Sequence, residues 1–271
     1  VSAGGPLPDV LARIVAAVRE RLAAEPEPAD LRLRAAAAAA ARRREGTRSL
    51  RAALSAPGVR VIAECKRRSP SRGVLREPFD AVALARTYEA AGAAAISVVT
   101  EARFFAGEAA WLPEVRRTVG LPVLQKDFLL AERQLAEAAV LGADAVLLIA
   151  RILPGGELAA MLAAAAALGL EVLLEVHDRA DLERALALPA AVIGINARDL
   201  ATFAVDLDAA AALAAAVPPE RVAVMESGVA GGADVRRLGG VGLRRFLVGE
   251  HLLRAGDPGA ALRELVDACR A

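Results

Sequence analysis

The chain has 271 residues, and its 34 basic and 33 acidic side chains leave a formal charge of +1, so no electrostatic argument points to nucleic acid or to an anionic membrane. With 56% apolar and 25% charged residues it has a globular composition, long enough for one α/β barrel or two small domains. The 2 cysteines exclude a disulfide scaffold and a cysteine-built zinc site, and no uncharged apolar run reaches the roughly 18 residues of a membrane span.

The chain opens without a basic segment leading into an apolar one, so no secretory signal is expected and the expected setting is cytoplasmic. The oligomeric state stays open, and a monomer is compatible with everything read here. After Pro8-Asp9, the apolar stripe Leu11, Ile14, Val15, Val18, Leu22 predicts an amphipathic helix. The turn Glu25-Pro26-Glu27-Pro28 leads to a second helix through the alanine run 35–41. Residues 1–55 are thus expected as a helical extension packed on the domain that follows, toward the mouth of its site. The whole of 1–271 is expected as one domain with this extension.

From residue 59 a repeat begins. Short apolar, β-branched runs occupy 59–64, 94–99, 122–126, 144–149, 170–176, 191–196, 221–227 and 245–249, most of them following a turn glycine. Alanine- and leucine-rich stretches with helical spacing lie between them, such as 79–91, 131–141 and 157–168. Buried strands alternating with helices imply parallel pairing through right-handed crossovers. The fold class expected is therefore α/β, a (β/α)8 TIM barrel with an N-terminal helical extension. An open doubly wound sheet is the competitor, but 69–73 (Ser-Pro-Ser-Arg-Gly) is not a glycine-rich phosphate loop.

Residues that resist the composition bias locate the chemistry. Lys66 and Lys126 are the only lysines among the 34 basic residues, and Asn196 is the only asparagine. Arginine stays protonated at working pH, whereas lysine can exchange its proton, so a retained lysine points to proton transfer or a compact charge. In a barrel of this kind chemistry sits at the C-terminal ends of the strands. Those ends carry Glu64-Cys65-Lys66, Thr100-Glu101, Lys126-Asp127, Glu175 with His177, Asn196 with Arg198, Glu226-Ser227-Gly228, and Gly249-Glu250. Both lysines and the asparagine fall in this set. Strand alternation puts Glu64 and Lys66 on one face and turns Cys65 toward the helices, as a small buried hydrophobe. Glu175 is the stronger candidate of its pair, and His177, further out, reads equally as a rim polar residue or as one with a role. His251 is expected to be structural or exposed. With 2 histidines and no cysteine cluster, no metal is expected. Residues 227–232 (Ser-Gly-Val-Ala-Gly-Gly) and Gly249 follow the last two strands, the usual phosphate position of such barrels, where glycine lets the backbone approach an anion.

These residues carry a family resemblance. Residues 61–73 (Val-Ile-Ala-Glu-Cys-Lys-Arg-Arg-Ser-Pro-Ser-Arg-Gly) and 122–128 (Pro-Val-Leu-Gln-Lys-Asp-Phe) resemble indole-3-glycerol-phosphate synthase. Residues 97–101 with 104–107, 142–149, 175–177, 194–200, 226–228 and 246–249 match in register, so the resemblance spans nearly the whole chain. It implies a cofactor-free decarboxylase of tryptophan biosynthesis. Its substrate would be 1-(2-carboxyphenylamino)-1-deoxyribulose 5-phosphate, and its products indole-3-glycerol phosphate, CO2 and water. By resemblance Lys126 is the general acid of ring closure and Glu175 the base of dehydration. Lys66 matches a carboxylate-binding lysine that also competes for the acid role in dehydration. Glu64 would steady a lysine and a cationic intermediate, and Asn196 would hydrogen-bond the substrate. Ser69, Pro70, Phe105, Leu148, Arg198 and Glu226 match substrate-binding positions, with Phe105, Pro70 and Leu148 as the apolar slot for the aromatic ring. Ser227, Gly228, Gly249 and Glu250 match the phosphate loops. Arg72 stands where many members have lysine, and Glu250 replaces a small residue seen in some. Two alternatives remain: another phosphate-binding barrel such as phosphoribosylanthranilate isomerase, which needs a cysteine base, and a non-catalytic barrel, which would have lost its strand-end charges.

Overall fold

In the computed structural model of the protein, residues 9–46, 48–199 and 202–269 are described, and Pro8 and Leu200 of the motifs above lie outside them. Eight parallel strands close into a barrel: β1 Arg60–Cys65, β2 Ala95–Val99, β3 Val123–Lys126, β4 Ala145–Ile149, β5 Glu171–Val176, β6 Val192–Asn196, β7 Val222–Glu226 and β8 Arg245–Val248. Each pairs with the next, and β8 returns to β1 with Val61 beside Phe246. These strands are nearly continuous apolar runs because both faces are covered, by the barrel interior on one side and helices on the other. Each predicted run lies within about a residue or two of an observed strand.

The helices between strands are α4 Ala81–Ala90, α5 Trp111–Thr118, α6 Glu132–Leu141, α7 Glu157–Ala167, α8 Arg179–Leu186, α9 Leu207–Ala214 and α10 Gly232–Gly240, and α11 Glu250–Arg254 and α12 Pro258–Asp267 follow β8. Several begin on an aspartate whose carboxylate accepts from the first free amides. Asp80 receives Val82 and Ala83, Asp178 receives Asp181, Asp206 receives Asp208 and Ala209, and Asp257 receives Ala260. Each such cap contributes about 1 kcal/mol. The carbonyl ends are served by arginine. The Arg184 guanidinium donates to the carbonyls of Ala150 and Leu153, Arg221 to Ala185 and Leu186, and Arg245 to Leu54 and Ala56. A planar five-donor fork spans two carbonyls where an ammonium reaches one, which gives much of the arginine bias a structural job.

Among the described residues three helices precede the barrel: α1 Asp9–Ala24, α2 Leu31–Glu45 and α3 Leu50–Ser55. The second is longer than the alanine run suggested. The third went unpredicted, because six residues are too few to show a period. Leu50 and Leu54 of α3 are fully buried and lie in the core beside Val59 and Val61, at the end where the strands begin. Arg42 of α2 donates to the carbonyls of Ala139 and Leu168, fixing α2 across α6 and the end of α7. Between β1 and α4 the chain makes a small antiparallel hairpin, Arg68–Ser69 with Gly73–Val74, also unpredicted. Among the described residues no helix is long and apolar enough to cross a membrane.

Candidate active site

A cavity of about 770 Å³ opens at the C-terminal ends of the strands. On its inner wall the strand pleat turns Glu64, Lys126, Glu175 and Glu226 inward from β1, β3, β5 and β7. The three glutamates are at most 3% exposed. Lys126 is centred among them: Nζ lies 3.2 Å from Glu175 Oε2 and 3.1 Å from Glu226 Oε2. Lys66 lines the same cavity, and its ammonium donates to Glu64 Oε1. Asn196 Nδ2 donates to Glu175 Oε1 at 3.2 Å, and its own oxygen accepts from the Arg198 amide at 3.1 Å.

Two glycines make room for this ring. A β-carbon on Gly194 of β6 would occupy the place of the Glu226 carboxylate and sit 3.3 Å from Leu173 Cδ1. A β-carbon on Gly249, just after β8, would sit 2.5 Å from Glu64 Oε1. Gly194 therefore seats one glutamate and Gly249 another.

The ring divides its charge unequally. Burial alone would lower the Lys126 value, but the pull of Glu226, then of Glu175 and Glu64, outweighs it and holds the ammonium above its ordinary range. Burial would raise Glu175, yet Lys126, then His177 and the Asn196 amide hold it down to about 2. Glu226 goes the other way, to about 8, because burial and the neighbouring Glu175 outweigh Lys126. The ring thus favours a charged ammonium and an ionised Glu175 and pushes Glu226 toward its protonated form.

The rest of the cavity separates into an apolar wall and a basic rim. Pro70, Phe105, Phe128, Leu147, Ile149 and Phe203 line it, with Val10, Leu11 and Ile14 contributed by α1. Phe105 and Phe128 lie with ring centroids 6.0 Å apart. The loop bearing Phe105 is fixed because the Glu101 carboxylate accepts the amides of Arg103, Phe104 and Phe105. At the rim Glu250 faces three guanidiniums, Arg72 at 3.1 Å, Arg198 at 3.5 Å and Arg254 at 3.6 Å. Ser69, Ser227, Gly228 and Gly249 complete the lining. Ser227 and Gly228 both adopt left-handed backbone, with φ of 65° and 82°. A β-carbon on Gly228 would strike Val205 and lie 3.0 Å from Leu207 Cδ2.

Fourteen of the fifteen residues named from the sequence line this cavity, and Leu148 does not. In β4 the residues paired with inward-facing Leu173 and Glu175 are Leu147 and Ile149, so Leu148 points at the helices and its neighbours form the wall. Glu250 is at the rim, but its carboxylate is occupied by arginines and would repel a phosphate. Cys65 is fully buried, with Sγ 3.8 Å from the Ala81 carbonyl, and burial pushes its thiol up. His177 is not a rim residue: its side chain is 4% exposed and Nε2 lies 3.2 Å from Glu175 Oε1. His251 lines the cavity rather than the outer surface. The walls given by α1, Phe203 and Val205 come from packing and an irregular loop, which carry no sequence period. Among the described residues no group of three or more His, Cys, Asp or Glu is arranged to hold a metal ion.

The family model described as indole-3-glycerol phosphate synthase matches residues 11–265. A relative from Leptothrix cholodnii, named indole-3-glycerol phosphate synthase, is 45% identical over 258 residues, covering 95% of this chain and 98% of that one. A relative of the same name from a Polaromonas species is 44% identical over the same shares. Among solved structures, a 3-hexulose-6-phosphate synthase aligns with TM-score 0.62 at 19% identity, over 77% of this chain and 99% of that one. A thiamine phosphate pyrophosphorylase from Pyrococcus furiosus aligns with TM-score 0.61 at 18% identity, over 81% and 97%. At such identities these two likenesses show the barrel fold alone.

Proposed function

Because the chain belongs to the indole-3-glycerol phosphate synthase family, carboxy-lyases of tryptophan biosynthesis that act on a phosphorylated substrate, we propose how its own side chains divide that reaction. Lys126 gives a proton to the ribulose carbonyl oxygen as the anthranilate ring carbon bonds to the carbonyl carbon. An ammonium held above its ordinary range stays charged at neutral pH, and the alkoxide forming opposite it is basic enough to take the proton. The substrate carboxylate then leaves as CO2. The hydroxyl leaves as water after a second proton from Lys126, recharged between the two steps, and Glu175 takes the proton from the adjacent carbon. That carbon is acidified by the cationic nitrogen beside it, so a carboxylate of low basicity suffices.

Lys66 pairs with the substrate carboxylate before CO2 departs, and Glu64 holds it in place. Glu226, keeping its proton, donates to a substrate hydroxyl. Asn196 orients Glu175, and Arg198 neutralises charge near the carboxylate. Phe105, Pro70, Leu147 and Ile149 enclose the aromatic ring. Ser69 and the backbone at Ser227, Gly228, Gly249 and Glu250 receive the polar end of the substrate, the phosphate falling at the left-handed turn.

The observation that carries this reading is the ammonium of Lys126 between Glu175 and Glu226 on the inner wall of one cavity. The isomerase alternative lacks its base, since Cys65 faces α4. The test is a fluorescence assay of indole-3-glycerol phosphate formation. Lys126→Ala and Glu175→Gln are each expected to lower kcat by about 10²-fold or more with the fold kept. Near-normal turnover in either variant removes that residue's role.

A further inference from the structure

Behind Glu175 lies a second cavity, about 440 Å³, lined among others by Arg151, His177, Asp178, Asn196 and Arg198. His177 stands between the two cavities. One ring nitrogen faces Glu175, and the other lies 3.8 Å from Asp181 Oδ2. Both nitrogens are buried without an aligned hydrogen-bond partner. Asp181 is fixed from the far side by Arg151, at 3.0 Å, and it also accepts the His177 amide at 3.2 Å. Burial keeps the ring below its ordinary value, against the pull of Glu175 and Asp181, so it rests neutral and ready to accept.

The reaction proposed above has an unbalanced proton account. Two protons must reach the former carbonyl oxygen, which leaves as water, and one returns from the carbon that loses its hydrogen. The substrate carboxylate departs as neutral CO2, so each turnover draws one proton from solvent. Bound substrate fills the cavity through which solvent would otherwise reach Lys126.

Resting on that reading, we propose that His177 brings this proton in from the second cavity and hands it to Glu175. The proton arrives at Nδ1, and the Nε2 proton moves to Glu175 Oε1. The carboxyl then turns about its last C–C bond, so that the protonated oxygen faces Lys126, and returns the neutral amine to ammonium across the 3.2 Å contact. Solvent in the second cavity then takes the Nδ1 proton and returns one to Nε2, which restores the starting tautomer. The imidazolium is held between two carboxylates, Glu175 and Asp181, against the charges of Arg151 and Lys126. His177 touches no substrate and acts through Glu175.

Glutamine at this position keeps an amide N–H for Glu175 but cannot carry a proton. His177→Gln is expected to lower kcat about 10- to 10²-fold with KM unchanged, and to raise the solvent deuterium isotope effect on kcat. His177→Ala leaves space for an added ring, so imidazole is expected to restore much of its lost kcat. Wild-type kcat and isotope effect in His177→Gln overturn the proposal, and so does a folded His177→Ala that imidazole fails to improve. Should His177→Ala not fold by circular dichroism, the isotope effect in His177→Gln decides. Glu175→Gln assayed alongside separates the two readings. An inactive Glu175→Gln beside a wild-type His177→Gln sinks the relay alone, whereas normal turnover in Glu175→Gln sinks both.

Discussion

Replacing Lys126 by methionine keeps an unbranched stem and deletes the cation, which makes the electrostatics of the ring measurable as stability. Nζ lies 3.2 Å and 3.1 Å from two carboxylates that are 3% and 1% exposed. At an effective dielectric constant of about 20 the attraction to ionised Glu175 is about 5 kcal/mol before desolvation, and that to Glu226 approaches this figure as Glu226 ionises. Breaking a buried pair of this kind costs about 3–5 kcal/mol net. The cost depends on pH. Glu226 is already pushed up to about 8 with Lys126 opposing, and Glu175 is held down chiefly by Lys126, so the deletion raises both. A carboxyl whose folded value exceeds its unfolded one stabilises below the unfolded value and loses that contribution as pH rises through the folded one. The deficit of Lys126→Met against wild type is therefore expected to be larger at about pH 8 than at about pH 5, by more than about 1 kcal/mol. Urea denaturation followed by circular dichroism at both values measures it. Equal deficits at the two pH values would refute the reasoning, as would a deficit below about 1 kcal/mol at both.

Three further outcomes follow from the same geometry. Lys126→Arg keeps the charge but supplies a guanidinium that does not release its proton at working pH, so kcat should stay down by about 10²-fold, and restored turnover would mean charge alone mattered. Gly194→Ala drives a methyl into the Glu226 carboxylate and should destabilise by about 1–3 kcal/mol while lowering kcat; a silent variant in both melting and turnover would contradict the seat described for Glu226. Gly228→Ala adds a methyl against Val205 at a left-handed position, so KM should rise about tenfold or more with a smaller change in kcat, and a loss confined to kcat would argue against a phosphate at that turn.

The barrel was legible because its strands are covered on both faces and so read as unbroken apolar runs at a regular interval. The inner ring was legible for a different reason: in a chain biased to arginine, Lys66 and Lys126 stand out, and strand alternation assigns their neighbours to a face. Leu148 was misplaced by one residue because the resemblance, and not this alternation, had assigned it. The burial of His177 was not legible because it depends on how α8, just after it, folds back and on Arg151 of the 3-10 turn Ala150–Ile152, which holds Asp181 and is distant in sequence. Gly194 carried no mark beyond being a glycine in a strand, and its meaning depends on a glutamate from the neighbouring strand. The part of the wall supplied by α1 was expected only as packing near the mouth, since an amphipathic stripe does not say what it covers.

The sorting of charge by depth sets the direction in which a substrate enters. Arg72, Arg198 and Arg254 stand outermost around one glutamate, whereas the deepest layer holds three carboxyl groups and two ammoniums. A molecule with a phosphate dianion at one end and a carboxylated aromatic ring at the other is drawn by the dianion to the outer guanidiniums, while the ring finds low-polarity walls further in and its carboxylate the ammonium of Lys66. Approach in the reverse orientation would press a dianion against carboxylates, so the binding polarity is decided before any reacting atom meets Lys126.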